Sequence, residues 1–197
     1  MKHKFFVVLC QGLSNTGKIS PQTQNVFLKM TELFPTQKPD LVIISGGYKH
    51  KNGATEAASV IDFMSQNRNL HPSIKNIERA DLLVENSSTM KKGGTISNLK
   101  ETKTRVKSTI LNSNKTIYSC PTLEKHINYR VVVFTSKLTT YRTTLVANKI
   151  FGKEKVSVVG VEVPFRGNIQ TRYSSRTYFI LWNWMLNIAT LLLLPFI

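Results

Sequence analysis

The chain has 197 residues, 27 Lys and Arg against 11 Asp and Glu, a formal net charge of +16 and two cysteines, Cys10 and Cys120. That length suits one domain with a full core; 41% hydrophobic residues exclude collagen-like, low-complexity and wholly disordered chains, and neither cysteine stands in a C-x-x-C frame. The charge invites a nucleic-acid partner, but it reflects scarce carboxylates, 14 basic residues against 3 acidic ones over 102–197, not a basic block; nucleic acid is therefore the weaker expectation beside anionic small molecules and an anionic membrane surface.

In chain order, Phe5-Phe6-Val7-Val8-Leu9-Cys10 reads as a buried strand. It is too short for the apolar core of a signal peptide, and no small-residue cleavage site follows. Ser20-Pro21 matches a helix start, with Ser20 as N-cap and Pro21 in the first turn. Val26, Phe27, Met30, Leu33 and Phe34 continue it for about fifteen residues at helical spacing. Leu41–Ile44 is a second apolar strand ending at Ser45-Gly46-Gly47, and 54–66 a helix with Ala57, Val60, Ile61 and Met64 on one face. Ala80–Val84 is a third strand, ended by Glu85, followed by a helix from about Thr95 to Leu111 and an irregular stretch around Cys120-Pro121. Val131–Phe134 is a fourth strand, followed by Thr135-Ser136 and a helix from about Thr139 to Ile150. Val156–Gly160 is a fifth.

Strands that are apolar throughout and alternate with helices predict a parallel sheet covered on both faces. The expected fold is α/β: a Rossmann-like, doubly wound sheet of about five parallel strands in three layers, α/β/α, over 1–170. Residues 171–197 form a hydrophobic C-terminal helix or tail, in which Thr177–Ile197 is 21 residues without a charge. That is long enough to span a bilayer, with Arg166, Arg172 and Arg176 on its flank. It equally suits a last helix packed on the domain, because Asn183 and Asn187 share a helix face. Membrane-associated and cytoplasmic locations both stay open.

Ligands of open parallel sheets bind outside the carboxyl ends of the strands. The residues there are Gly12, Ser45-Gly46-Gly47, Glu85 with Ser87-Ser88, and Thr135-Ser136. Glycines let a backbone approach a ligand closely, and the N–H groups of a turn before a helix suit a phosphate or carboxylate. Glu56 opens the second helix, either as a first-turn carboxylate or as an acceptor or base toward a ligand. Glu85 closes an apolar strand at the ligand edge. Arg142, six residues beyond Ser136, is placed to reach back and grip an anion, or to sit on a solvated surface. His3, His50, His71 and His126 fall in separate segments with no metal-ligand spacing, and His50 reads as a loop residue.

The ordered set of turns over about 5–165 resembles the YdcF-like family, which includes the SanA and ElyC envelope proteins. Its blocks correspond here to Val7-Val8-Leu9 with Gly12, Gly17-Lys18-Ile19-Ser20-Pro21, Ser45-Gly46-Gly47 with Thr55-Glu56-Ala57, Glu85-Asn86-Ser87-Ser88, Thr95-Ile96-Ser97-Asn98, and Phe134-Thr135-Ser136 with Arg142. Ser97 stands where the family has glutamate and Thr139 where it has histidine. The resemblance implies a Rossmann-like fold, often with a membrane segment, and a role in cell-envelope biogenesis, with S-adenosylmethionine as a suggested ligand.

On this basis the chain is expected to bind an anionic or nucleotide-like small molecule. Ser45, Gly46 and Gly47 would cradle its anionic group; Ser88, Thr95, Asn98 and Ser136 would donate hydrogen bonds, with Gly12 and Thr135 beside them. Glu56 and Glu85 would accept from hydroxyls or an amine, and Arg142 would neutralise charge. If it is an enzyme, group transfer or hydrolysis on an envelope precursor is expected, with Glu85 and then Glu56 as candidate bases. The alternative is a membrane-tethered binding or scaffold protein without catalysis.

Overall fold

The computed structural model describes residues 3–46, 50, 53–78, 81–84, 94–113 and 128–197. Alternating side chains of the first strand, β1 (His3–Leu9), point into two cores. Phe6 and Val8 join one with Val26, Phe27, Val60 and Met64, whereas Phe5 and Val7 join the other with Leu99, Val106, Val146 and Ile150. A strand buried on both sides needs apolar residues at every position, and Phe5 through Val8 are fully shielded.

Four further strands, β2 (Leu41–Ser45), β3 (Leu82–Val84), β4 (Tyr129–Ser136) and β5 (Val156–Val161), complete a parallel sheet in the order β3-β2-β1-β4-β5. Val7 pairs with Ile43 on one side and Val133 on the other. The chain reverses its direction of winding between β1 and β4, the place where an open sheet splays and admits a ligand.

Helices α1 (Pro21–Gln37) and α2 (Glu56–Asn67) cover one face, and α4 (Thr95–Ser113) and α5 (Thr140–Phe151) the other. The Ser20 cap follows the sequence, with Thr23 N donating to its Oγ at 3.2 Å; Thr55, not anticipated as a cap, accepts from Ala58 N at 3.1 Å. This is the Rossmann-like α/β architecture. A short helix not anticipated, α3 (Pro72–Lys75), buries Ile74. Thr135 and Ser136 are the last residues of β4 and do not follow it, and a 3₁₀ turn over Lys137–Thr139 leads into α5.

The uncharged tail forms α6 (Arg176–Leu193), capped by Ser175 and followed by a 3₁₀ turn over Leu194–Phe196. It lies along the domain against α5 and the turn Thr171–Tyr173. The contact stripe is narrow: Phe179, Asn183 and Thr190 are buried, while Leu181, Trp184, Met185, Leu191 and Leu192 are exposed. Among the described residues it is the one helix long and apolar enough to cross a membrane, with a mean hydropathy of 1.7 and 17% of that window buried.

Candidate functional site

The carboxyl ends of β1 and β4, the start of α2, the first turns of α4 and α5, and the inner face of α6 enclose a cleft of about 830 Å³. That volume is within the range of small-molecule sites. Behind it lies a polar hub. Gln11, immediately past Cys10, donates its backbone N–H to Thr23 Oγ1 at 2.7 Å, and its Nε2 donates to Leu9 O at 3.2 Å and Thr135 Oγ1 at 3.3 Å. Its side-chain Oε1 accepts from the Tyr173 hydroxyl, and its carbonyl accepts from Asn168 Nδ2. One buried amide therefore ties the ends of β1 and β4 to the start of α1 and the segment before α6.

A hydroxyl cluster continues the hub. Thr139 Oγ1 lies 2.8 Å from both Thr135 Oγ1 and Ser136 Oγ, and donates to the Ser136 carbonyl at 2.9 Å. Thr139 has no basic nitrogen and supplies no general base. Burial pushes the Tyr173 phenol up to about 12, so at neutral pH it stays a neutral donor to Gln11.

Arg142 is the principal charge in the cleft. Its guanidinium is buried at 9% exposure, and Nη1 donates to Asn183 Oδ1 of α6 at 3.1 Å. Asn183 in turn donates to the Phe179 carbonyl at 2.8 Å, which fixes its oxygen toward Arg142. Among the described residues no carboxylate pairs with Arg142. Burial, and next the positive charge of Arg172, push it down to about 10, so it remains a cation at neutral pH. Arg172 lines the same cleft.

The acidic side of the site is Glu56, buried at the first position of α2, with Oε1 3.2 Å from His50 Nε2. His50 is thus a partner of Glu56 in the cleft wall, where the sequence read as an isolated loop residue. Among the described residues Asn98 Oδ1, in a side chain 8% exposed, and Gln170 Oε1 have no hydrogen-bond partner, and both residues line the cleft. Such buried acceptors each cost about 1–3 kcal/mol unless a partner meets them.

Of the residues expected from sequence, the cleft brings together Gly46, Glu56, Thr95, Asn98, Thr135 and Arg142. Ser45 and Ser136 are fully buried behind it: Ser45 Oγ lies 3.4 Å from Thr102 Oγ1, tying β2 to α4, and Ser136 belongs to the hydroxyl cluster. Gly12 is also outside the lining; it adopts φ +81, and a Cβ there would meet Asn168 Oδ1 and the Gln170 side chain at 2.9 Å. These three stand behind the wall of the cleft, not in its lining. Gly46 is in the wall, yet the space a Cβ would take holds Cys10 Cβ at 2.7 Å and Glu56 Cβ at 3.0 Å, so close packing requires the glycine. Gly47, Glu85 and Ser88 lie outside the described residues. Gln11, Arg172, Tyr173 and Asn183 were not expected in the site; the shared face of Asn183 and Asn187 was the one signal pointing to any of them.

Among the described residues no three His, Cys, Asp or Glu side chains gather to hold a metal ion. No family model matches the chain, and no curated protein or solved structure matches it. The fold and this cleft therefore define it as a Rossmann-like α/β protein with a basic, partly apolar cleft at the switch point of its sheet.

Proposed function

We propose that the cleft binds an anionic or nucleotide-like small molecule, with Arg142 as its principal cation. The observation that carries this is the burial of Arg142 without a carboxylate partner among the described residues. A buried charge is costly unless paired, and an anion facing Arg142 supplies that pairing, while the acceptor oxygens of Asn98 and Gln170 call for a hydroxyl or amine hydrogen on the same ligand. Arg172 adds a second positive charge, Thr95 is a hydroxyl donor, and Glu56 with His50 is suited to accept from ligand hydroxyls. The described lining carries two arginines against one glutamate, which suits an anion better than the sulfonium and ammonium of S-adenosylmethionine. A YdcF-like role in cell-envelope biogenesis is consistent with this site and rests on the sequence resemblance alone. If the protein turns over a ligand, Glu56 is the described carboxylate positioned to serve as base.

Thermal unfolding against inorganic phosphate and AMP tests the proposal. Ligand at about 100 times its Kd stabilises by about 2.7 kcal/mol, a rise in Tm of about 5–10 °C for a chain of this size. R142M should abolish the rise. No saturable shift in the wild-type protein with either compound refutes it.

The exposed apolar face of α6 favours a second proposal, peripheral attachment to an anionic membrane surface. Spanning a bilayer would strip Asn183 from Arg142, whereas lying flat would keep that contact. Flotation with phosphatidylglycerol vesicles, lost in a Leu181→Ser/Trp184→Ser variant, is the expected outcome; equal flotation of that variant refutes it.

A further inference from the structure

The cleft does not end at its charged pole. Trp182, Leu186, Ala189 and Leu193 of α6 line it as well. Their spacing of four, three and four places them on one stripe of the helix, about 16 Å long at about 1.5 Å per residue. Trp182 adjoins Asn183, the residue bonded to Arg142, so the stripe begins at the buried cation and runs outward. Its outer end opens to solvent, where Leu193 is 51% exposed. Ile96 and Phe179 extend the same apolar lining.

The two ends ask for different chemistry. An inorganic anion or a small polar metabolite satisfies Arg142 but leaves the α6 stripe in contact with water. A hydrocarbon chain covers the stripe but leaves the guanidinium unpaired. A molecule carrying both groups satisfies both ends, and the continuity of the cleft allows one molecule to reach from one to the other. We infer that the ligand is an anionic amphiphile, with a phosphate or carboxylate head at Arg142 and a hydrocarbon chain along the Trp182–Leu193 stripe. This rests on the proposed anion site and specifies the ligand class that the site takes. Trp182 Nε1, buried and without a hydrogen-bond partner among the described residues, is an added donor at the junction of head and chain.

The test is equilibrium titration of the full chain, in a W184F background so that Trp182 alone reports by fluorescence. The probes are ethyl, octyl and dodecyl phosphate below their micelle concentrations, with dodecyl maltoside as an uncharged control. Each methylene that is fully buried gains about fourfold in affinity, so dodecyl phosphate should bind at least about tenfold more tightly than ethyl phosphate. R142M should remove the preference for alkyl phosphate over the maltoside. A189W, which fills the arm, should cost dodecyl phosphate more than ethyl phosphate. Saturable, Arg142-dependent binding with no gain from ethyl to dodecyl overturns the amphiphile and leaves the anion site standing. Equal binding of dodecyl phosphate and the maltoside also overturns it, as partition onto the outer face of α6. No binding of any phosphate overturns both this inference and the anion site.

Discussion

Replacing Arg142 with methionine is expected to stabilise the ligand-free protein while removing its response to anions. Burial, and next the positive charge of Arg172, bring the guanidinium down from its ordinary range to about 10, a displacement that corresponds to about 3 kcal/mol against holding the charged form in the cleft. Methionine keeps the length of the side chain and removes that cost. Against the gain stand the hydrogen bond to Asn183 at 3.1 Å, worth about 1 kcal/mol, and about 1 kcal/mol for leaving the Asn183 oxygen without a donor. The net is about 1 kcal/mol in favour of the variant, or about 2–4 °C in Tm for a chain of this length. Urea unfolding and calorimetry in phosphate-free buffer measure it, and repeating both in excess phosphate should reverse the ranking. Adding Asn183→Leu should raise the variant's stability further. A loss of about 3–5 kcal/mol in R142M, the cost of breaking a buried ion pair, would refute the reasoning, because Arg142 would then be structurally paired and not poised for a ligand.

The pH dependence follows from the same group. Arg142 loses its proton in the folded state near pH 10, before the unfolded chain does, so phosphate-induced stabilisation should be full at neutral pH and fall as pH rises through about 10. Loss of the effect near neutral pH would show that Arg142 is not the cation that holds the anion. Gly46→Ala puts a Cβ 2.7 Å from Cys10 Cβ and should cost about 1–3 kcal/mol by denaturant unfolding; an unchanged midpoint argues that β1 and β2 separate easily there. Gln11→Leu strands the Tyr173 hydroxyl and loses the bond to Thr135 Oγ1, for an expected loss of about 2–4 kcal/mol. A loss below about 0.5 kcal/mol would show that Gln11 is not the hub. Ser20→Ala removes the α1 cap and should cost about 1 kcal/mol in the same assay.

The sheet was legible because burial on two faces leaves a strong local trace. Phe5 through Leu9, Leu41 through Ile44 and Val131 through Phe134 are unbroken apolar runs, and Ser20 marks a helix start by chemistry acting within three residues. The strand ends were legible for the same reason, which placed Glu56, Thr135 and Arg142 near the ligand edge. The hub was not. Gln11 meets Tyr173 across 162 positions and Thr135 across 124, and a single amide leaves no periodic pattern to find. Arg172 reads as a flank of the apolar tail until the tail folds back, which brings it to the cleft beside Arg142. The tail itself passes the test for a membrane helix by composition; only its docking through Phe179, Asn183 and Thr190 separates a roof over the cleft from an independent span.

Among the described strands, the earliest in chain order is the middle strand of the sheet. β1 pairs with β2, about 35 residues later, but its other edge waits for β4, which begins at Tyr129. A ribosome-bound chain that ends before residue 129 can assemble at most β3, β2 and β1, with the backbone of His3–Val8 open along one side and Phe5 and Val7 short of Val131 and Val133. An unpaired, apolar edge is a template for pairing with another chain, and contacts this distant in sequence form slowly. The nascent protein therefore passes through a long interval in which its future centre is its most adhesive edge. Release from that state comes with Tyr129–Ser136, which covers the open side of β1 and brings Thr135 to the cleft.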